Sequence, residues 1–286
     1  MSTGPLSINF SGCRVLVTGG SRGIAGEIAR SFARNGATVA VNYCSAADEA
    51  AGFPDAAHHL VQEMRSYGST AYAIDADLQQ PGKGRRLVSD AASCLGGIDI
   101  LVLSASIQIH KDFLNMLEED VTKQLQINLV SNIQILQETI PLMRERGWGR
   151  IITIGSVQET APSAEMPIYA MTKAAQENLV RNLAVANAPY GVTVNNVAPG
   201  LIRTDRNAFR RKDMDAWNRL TAQANPIGRA GLPEDIAPAV LYLASDAASF
   251  VTGATLQITG GAHIPGRSLT SQQQSPDQWP HLKAGE

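Results

Sequence analysis

The stretch Val15-Leu16-Val17-Thr18-Gly19-Gly20-Ser21-Arg22-Gly23-Ile24-Ala25-Gly26 constrains the fold of this chain more than any other. Its first three residues form a short apolar run that suits a strand buried on both faces. Beyond the glycines, Ile28, Ala29, Phe32 and Ala33 recur at helical spacing. The order is therefore strand, glycine-rich turn, helix. Glycines in such a turn let backbone approach a pyrophosphate, whose charge is attracted by the free N–H groups and positive dipole of the helix start. A glycine turn alone is a weak signal, but after a first strand and before a helix it becomes a strong one.

The rest of the chain repeats the alternation. Thr38 to Asn42 reads as a second strand, Ala71 to Ile74 as a third leading to Asp75-Ala76-Asp77-Leu78, and Ile98 to Leu103 as a fourth entering Ser104-Ala105-Ser106. Arg150 to Ile154 is a fifth, and Thr193 to Val197 a sixth that ends in Ala198-Pro199-Gly200. Helices intervene. Residues 46–66 read as one whose first part is lengthened by a surface insertion, where Gly52 and Pro54 break regular structure. Residues 120–146 read as a long helix with an apolar stripe of Leu125, Leu129, Ile133 and Leu136, interrupted by Asn128, an amide that must be satisfied if buried. Strands alternating with helices imply an α/β fold with a Rossmann-type, doubly wound parallel sheet, and a ligand at the carboxyl ends of its strands.

Strand two ends in Tyr43-Cys44-Ser45, where binding of NAD usually requires a carboxylate for the ribose hydroxyls and none stands. Arg22 offers instead a cation for a 2′-phosphate, so NADP(H) is expected over NAD. His58 and His59 are neighbours that point in different directions on a helix, and no metal is expected.

Tyr169 and Lys173 lie four residues apart, with Ser156 thirteen residues before the tyrosine and at the end of strand five. Residues at this spacing project from one helix face, so the ammonium can favour the ionised phenol. A free phenol titrates near pH ~10, and reaching about 7 takes roughly 4 kcal/mol of differential stabilisation. A serine hydroxyl beside that acid can hold a substrate oxygen.

The chain has 286 residues, 44% hydrophobic and 17% charged, and its length and composition fit one domain. Its net charge of -2 gives no global reason to expect nucleic acid or an anionic membrane surface. Cys13, Cys44 and Cys94 are far apart, without metal-ligand spacing, and read as reduced thiols. The opening MSTGPLSINF has no basic region followed by a long apolar run, and no segment has the roughly 20 apolar residues of a membrane span. A cytoplasmic location is the expectation.

Taken together, these motifs resemble the short-chain dehydrogenase/reductase family from about Phe10 to Gly261, in its single-domain branch that includes 3-oxoacyl-carrier-protein reductases and fungal naphthol reductases. The resemblance implies Ser156, Tyr169, Lys173 and Asn128 as catalytic residues. Gly19, Ser21, Arg22, Gly23 and Ile24 would lie at the cofactor phosphates, Tyr43, Cys44 and Ser45 at the adenosine ribose, and Asp77 and Leu78 at the adenine. Ser104, Ala105 and Ser106 would follow the cofactor, with Pro199, Gly200, Ile202 and Thr204 at the nicotinamide carboxamide. Residues 225–261 resemble the family's closing helix and last strand.

The implied reaction is hydride transfer between NADP(H) and a carbonyl or secondary alcohol. Ser156 would hold the substrate oxygen while Tyr169 gives or takes its proton. Lys173 would lower the tyrosine pKa and bind the nicotinamide ribose, with Asn128 positioning a water that links Lys173 to solvent. Substrate would meet Ser106, Ile107, Gln158 and Met166. The domain would span residues 1–265, with a lid at about 203–225 and a polar extension at 266–286. The branch also implies a homotetramer built on helices 120–146 and 165–188.

Two departures stand out. Ala25 replaces the last glycine of the turn and is expected either to crowd the helix against its strand or to be absorbed by Gly26. Leu103-Ser104-Ala105-Ser106 replaces an Asn-Asn-Ala-Gly sequence, with expected loss of bonds that brace neighbouring strands. The alternative function on this fold is a non-catalytic dinucleotide sensor or scaffold, which predicts loss of a catalytic residue, whereas all four are present. A lyase or dehalogenase variant would expect a damaged turn and arginine in place of Lys173. In the lid, Arg203, Arg206, Arg210, Arg211 and Lys212 either hold an anionic substrate group or form a solvated face in which Asp205, Asp213 and Asp215 pair some of the charge.

Overall fold

In this computed structural model, residues 8–161 and 163–264 are described. Seven strands pair in one parallel sheet: β1 (Arg14–Val17), β2 (Thr38–Tyr43), β3 (Ala71–Asp75), β4 (Ile100–Leu103), β5 (Gly149–Ile154), β6 (Val192–Pro199) and β7 (Thr255–Ile258). Their spatial order is β3-β2-β1-β4-β5-β6-β7. The winding reverses between β1 and β4, where Val15 lies opposite Val39 on one side and Ile100 on the other. That reversal opens a crevice at the carboxyl ends of the strands.

Successive strand residues face opposite sides, which is why the central strands read as unbroken apolar runs. Val15 and Val17 join a core with Ile28 and Phe32 of α1 (Gly23–Arg34), Leu60 and Met64 of α3 (Ala56–Ser66) and Val240 of α9 (Pro233–Ala244). Leu16 joins the other core, with Leu87 of α4 (Lys83–Leu95), Ile135 of α6 (Ser131–Arg146) and Val180 of α7 (Pro167–Asn187). Each face of the sheet thus buries its own helical layer.

Two helices differ from expectation. Residues 46–66 form α2 (Ser45–Ala50) and α3, separated around Gly52, which takes φ +84°, and Pro54. The supposed surface insertion also carries a buried residue, Asp48. The long helix begins earlier, as α5 (Glu118–Leu125), and passes through a π-helical turn, Gln126–Val130, before α6. That extra residue rotates the helix face. Leu125 and Leu129 are therefore only half-buried and Ile133 exposed, while Ile135, Leu136, Ile140 and Met143 form the buried stripe. Such turns concentrate at functional sites, and this one carries Asn128.

The segment expected to be a lid contains a 3₁₀ stretch, Asp205–Lys212, followed by α8 (Met214–Ala224). The C-terminal extension expected at 266–286 lies outside the described residues. Among the described residues no helix is long and apolar enough to cross a membrane.

Candidate active site

One cleft of about 770 Å³ runs along the carboxyl ends of the strands. Gly19, Ser21, Arg22, Gly23 and Ile24 line one end, and Ser156, Gln158, Tyr169 and Lys173 the middle. Ser104, Ser106, Pro199, Gly200, Ile202 and Thr204 also line it. Ala105 sits against the glycine turn: a Cβ on Gly19 would fall 2.8 Å from its Cα. Tyr43, Cys44, Ser45, Asp77 and Leu78 do not line this cleft. Ser45 is engaged with Asp75 through its N–H (3.0 Å) and hydroxyl (2.6 Å), and Tyr43 Oη lies 3.3 Å from His58 Nε2.

The glycine turn is shaped to admit a ligand. Gly19 and Gly23 adopt φ +63° and +58°, a region that side chains disfavour. Gly23 and Ile24, the first residues of α1, line the cleft, and the N–H groups of a helix start have no partner within the helix. Ala25 is 3% exposed and packs in the core that α1 makes with the sheet. Gly26 has only ordinary clearance from the Gly20 carbonyl, at 3.5 Å from where a Cβ would stand. At Leu103-Ser104-Ala105-Ser106 the backbone alone ties β4 to β1, with Thr18 Oγ1 accepting the N–H groups of Ser104 (3.0 Å) and Ala105 (3.1 Å).

Arg22 is not the unpaired cation that the sequence suggested. Its Nε and Nη2 donate to Oδ1 of Asp48 at 3.0 and 2.9 Å, and its guanidinium stacks over Phe53 at 4.7 Å. A carboxylate does stand near this end of the cleft, supplied by α2 rather than by the tip of β2.

Lys173 is 2% exposed, and its ammonium donates to the carbonyl of Ile154 (2.7 Å) and to Oε1 of Gln176 (3.2 Å). Burial pushes its pKa down and the Arg206 charge adds to that, while Tyr169 and Glu159 pull it up. The ammonium lies 5.7 Å from the Tyr169 ring centre. Tyr169 is itself 4% exposed, on the first turn of α7, which Pro167 opens with its preset φ. Ser156 caps a 3₁₀ turn, Val157–Glu159, with Oγ accepting the Gln158 N–H at 3.2 Å. Among the described residues its hydroxyl proton has no acceptor, which leaves it for another oxygen.

Asn128 lies behind the cleft. Its amide donates to the Ile107 carbonyl (3.0 Å) and Thr172 Oγ1 (3.1 Å), and its oxygen accepts the Ile107 N–H (2.9 Å). The side chain thus braces the loop after β4 against α7.

Glu159 was not anticipated. Its carboxylate accepts the Ser156 N–H (2.9 Å) and the Asn196 amide (2.9 and 3.1 Å). Burial, with the Glu177 charge in the same sense, raises its pKa to about 7 against the opposing pull of Asn196, Ser156 and Lys173. The readable sign was Ser156-x-x-Glu159, the spacing of a capping box.

The cationic lid resolves into separate contacts. Arg211 is bound to the Thr204 carbonyl (3.0 Å) and Asn207 (2.7 Å), and Arg210 lies 3.7 Å from Glu165. Arg206 donates to the carbonyl of Ser106 at 2.7 Å and to its hydroxyl at 3.4 Å. Among the described residues it has no carboxylate within 4.0 Å.

A nucleotide-sized crevice at a topological switch point, with a glycine turn at one end and a buried lysine beneath a tyrosine, defines a dinucleotide-dependent oxidoreductase fold and site. The family model described as enoyl-(acyl carrier protein) reductase matches residues 19–263. An L-rhamnose 1-dehydrogenase (NAD(P)(+)) of Azotobacter vinelandii is 37% identical over 251 residues, covering 87% of this chain and 96% of the relative. The structure of a 3-oxoacyl-(acyl-carrier-protein) reductase from Agrobacterium tumefaciens C58 with NADP bound superposes with a TM-score of 0.85 at 38% identity, covering 91% of this chain and 99% of that one. A 7α-hydroxysteroid dehydrogenase solved with NADH and 7-oxo glycochenodeoxycholic acid gives a TM-score of 0.81 at 36% identity, over 89% and 96% of the two chains. The chain belongs to the short-chain dehydrogenase/reductase family. It is an oxidoreductase that uses a nicotinamide dinucleotide and acts on carbonyl or alcohol groups.

Proposed function

We propose that this protein is an NADP(H)-dependent ketone reductase or alcohol dehydrogenase in which Tyr169 is the acid/base. The observation that carries the reading is the buried Lys173 ammonium, fixed by Ile154 and Gln176 and 5.7 Å from the Tyr169 ring, in the same cleft as Ser156. The residues present fit the cofactor, since Gly19, Ser21, Arg22, Gly23 and Ile24 line the cleft at the start of α1, where helix N–H groups and dipole favour a pyrophosphate. Gly19 to Ile24 would hold its phosphates, and Pro199 to Thr204 its carboxamide. When bound, the nicotinamide supplies or accepts the hydride.

Ser156 donates its hydroxyl proton to the substrate oxygen. Tyr169 protonates that oxygen in reduction and deprotonates it in oxidation. Lys173 holds positive charge beneath the phenol, and Asn128 keeps α7 and the loop after β4 in register. The substrate meets Ser106, Gln108, His110 and Gln158, and Arg206 supplies there a cation with no carboxylate partner among the described residues. These donors suit an oxygen-rich substrate bearing a carboxylate or phosphate.

We read the catalytic domain as residues 1–265, with 203–225 as its lid, acting in the cytoplasm as a homotetramer. Support for assembly comes from apolar side chains left exposed on the helices expected to pair, Val130, Ile133 and Met171, and from Phe250 beside β7. The test is an assay of NADPH and NADP with ketones, sugars, sugar acids and secondary alcohols. Turnover that Tyr169→Phe abolishes supports the reading, and absence of turnover across the panel argues against it.

A further inference from the structure

We infer that Asp48 is a cofactor-selectivity residue: by holding Arg22 it weakens the preference for a 2′-phosphate, so the protein favours NADPH over NADH by less than Arg22 alone would give. The inference rests on the reading that a dinucleotide binds between Gly19 and Thr204.

The geometry begins with α2. Asp48 lies on its first turn, 3% exposed, where Oδ1 accepts from Ser21 Oγ (3.1 Å) and from Nε and Nη2 of Arg22 (3.0 and 2.9 Å). Both guanidinium donors converge on one oxygen, so the pair is not the parallel two-oxygen fork that binds arginine most tightly. The other oxygen, Oδ2, is buried without a hydrogen-bond partner among the described residues. A carboxylate kept with one oxygen unsatisfied costs stability, which points to a task other than holding the fold together.

Charge around Arg22 supports the same conclusion. Beyond Asp48, Asp205 of the lid stands 3.9 Å from Nη1. One cation therefore faces two carboxylates. A 2′-phosphate approaching Arg22 must compete with Asp48 for its donors and is repelled by both acids, whereas a free ribose hydroxyl meets neither penalty. Phe53, stacked at 4.7 Å, further holds the guanidinium in its paired position. Arg22 is thus the group that would read the phosphate, and Asp48 acts through it as a positioning residue.

The experiment is direct titration of the full chain with NADPH and with NADH, following binding by calorimetry or by nicotinamide fluorescence, with no substrate present. Asp48→Asn keeps an acceptor for Ser21 and Arg22 but removes the charge. The expected result is a shift of the NADPH-to-NADH affinity ratio toward NADPH by about tenfold. In an Arg22→Ala background the same change should shift the ratio much less, because only the direct repulsion by the Asp48 charge is left and the competition for the guanidinium is gone. A ratio that Asp48→Asn leaves unchanged or moves toward NADH overturns the inference, as does a full shift in the absence of Arg22. If the unaltered protein binds neither dinucleotide, the reading of the cleft itself fails. Should Asp48→Asn not fold, a structure of the unaltered protein with NADP decides: Arg22 turned from Asp48 to the phosphate supports competition, and Arg22 holding both at unchanged distance overturns it.

Discussion

The backbone N–H of Ser156 donates to the carboxylate of Glu159 at 2.9 Å, which ties the position of the serine to the ionisation of a buried acid. Burial raises that acid from 4.5 to about 7, so the folded state binds its proton more tightly than the unfolded chain does. Stability from this group is complete below pH 4.5 and is lost as pH rises to about 7, by about 3 kcal/mol at most. Lys173 and Glu177 are the other charged groups acting on it, with opposite signs. Glu159→Gln should therefore gain stability relative to the unaltered protein as pH is raised from 4.5 to 8. Urea unfolding at several pH values measures this, and a pH-independent difference would show that Glu159 does not titrate in that window.

Tyr169→Phe removes the proposed proton donor and leaves the ring in place. Turnover should fall by about 10²–10⁴-fold while cofactor affinity stays near that of the unaltered protein. Retained turnover sinks the acid/base assignment.

A methyl on Gly155 would overlap the Glu159 carboxylate and stand 2.7 Å from Asn196 Oδ1. Gly155→Ala should cost about 1–3 kcal/mol and raise KM for the carbonyl substrate, since Glu159 must move and Ser156 with it. Thermal unfolding and steady-state kinetics check both effects.

Arg206 is bound to Ser106 but has no carboxylate partner among the described residues. An anionic substrate should show higher kcat/KM than its amide or ester, and Arg206→Ala should reduce that ratio by roughly tenfold or more. Equal losses on both compounds would make the lid's charge incidental.

Phe250 is fully exposed, and Met171 is 48% exposed on α7. Light scattering at micromolar concentration should report a tetramer, and Phe250→Glu should lower the assembled fraction. A monomer at that concentration contradicts the assembly.

Much of the fold was legible because it rests on local rules. Apolar runs such as Val15 to Val17 mark strands buried on both faces. Glycines at 19 and 23 mark a turn with positive φ, and the spacing from Tyr169 to Lys173 puts both on one helix face before any tertiary contact forms. Alternation of these elements then implies the parallel sheet. What stayed hidden depends on which side chains packing brings together. Asp48 looked like part of a solvated insertion until α2 folded over the glycine turn and set it against Arg22, 26 residues away in the chain. Glu159 offered a capping-box spacing, but its raised pKa comes from desolvation, which outweighs the opposing hydrogen bond from Asn196 on β6, 37 residues away. The face of the long helix was misread because one extra residue at Gln126–Val130 rotates it, and periodicity cannot register an insertion that leaves composition unchanged. Sequence alone therefore determined the strands, their order and the placing of Tyr169 and Lys173 on one helix face. The tertiary structure decided the pKa shifts of the buried groups and the partner of Arg22, because desolvation and ion pairing depend on what surrounds a group in space.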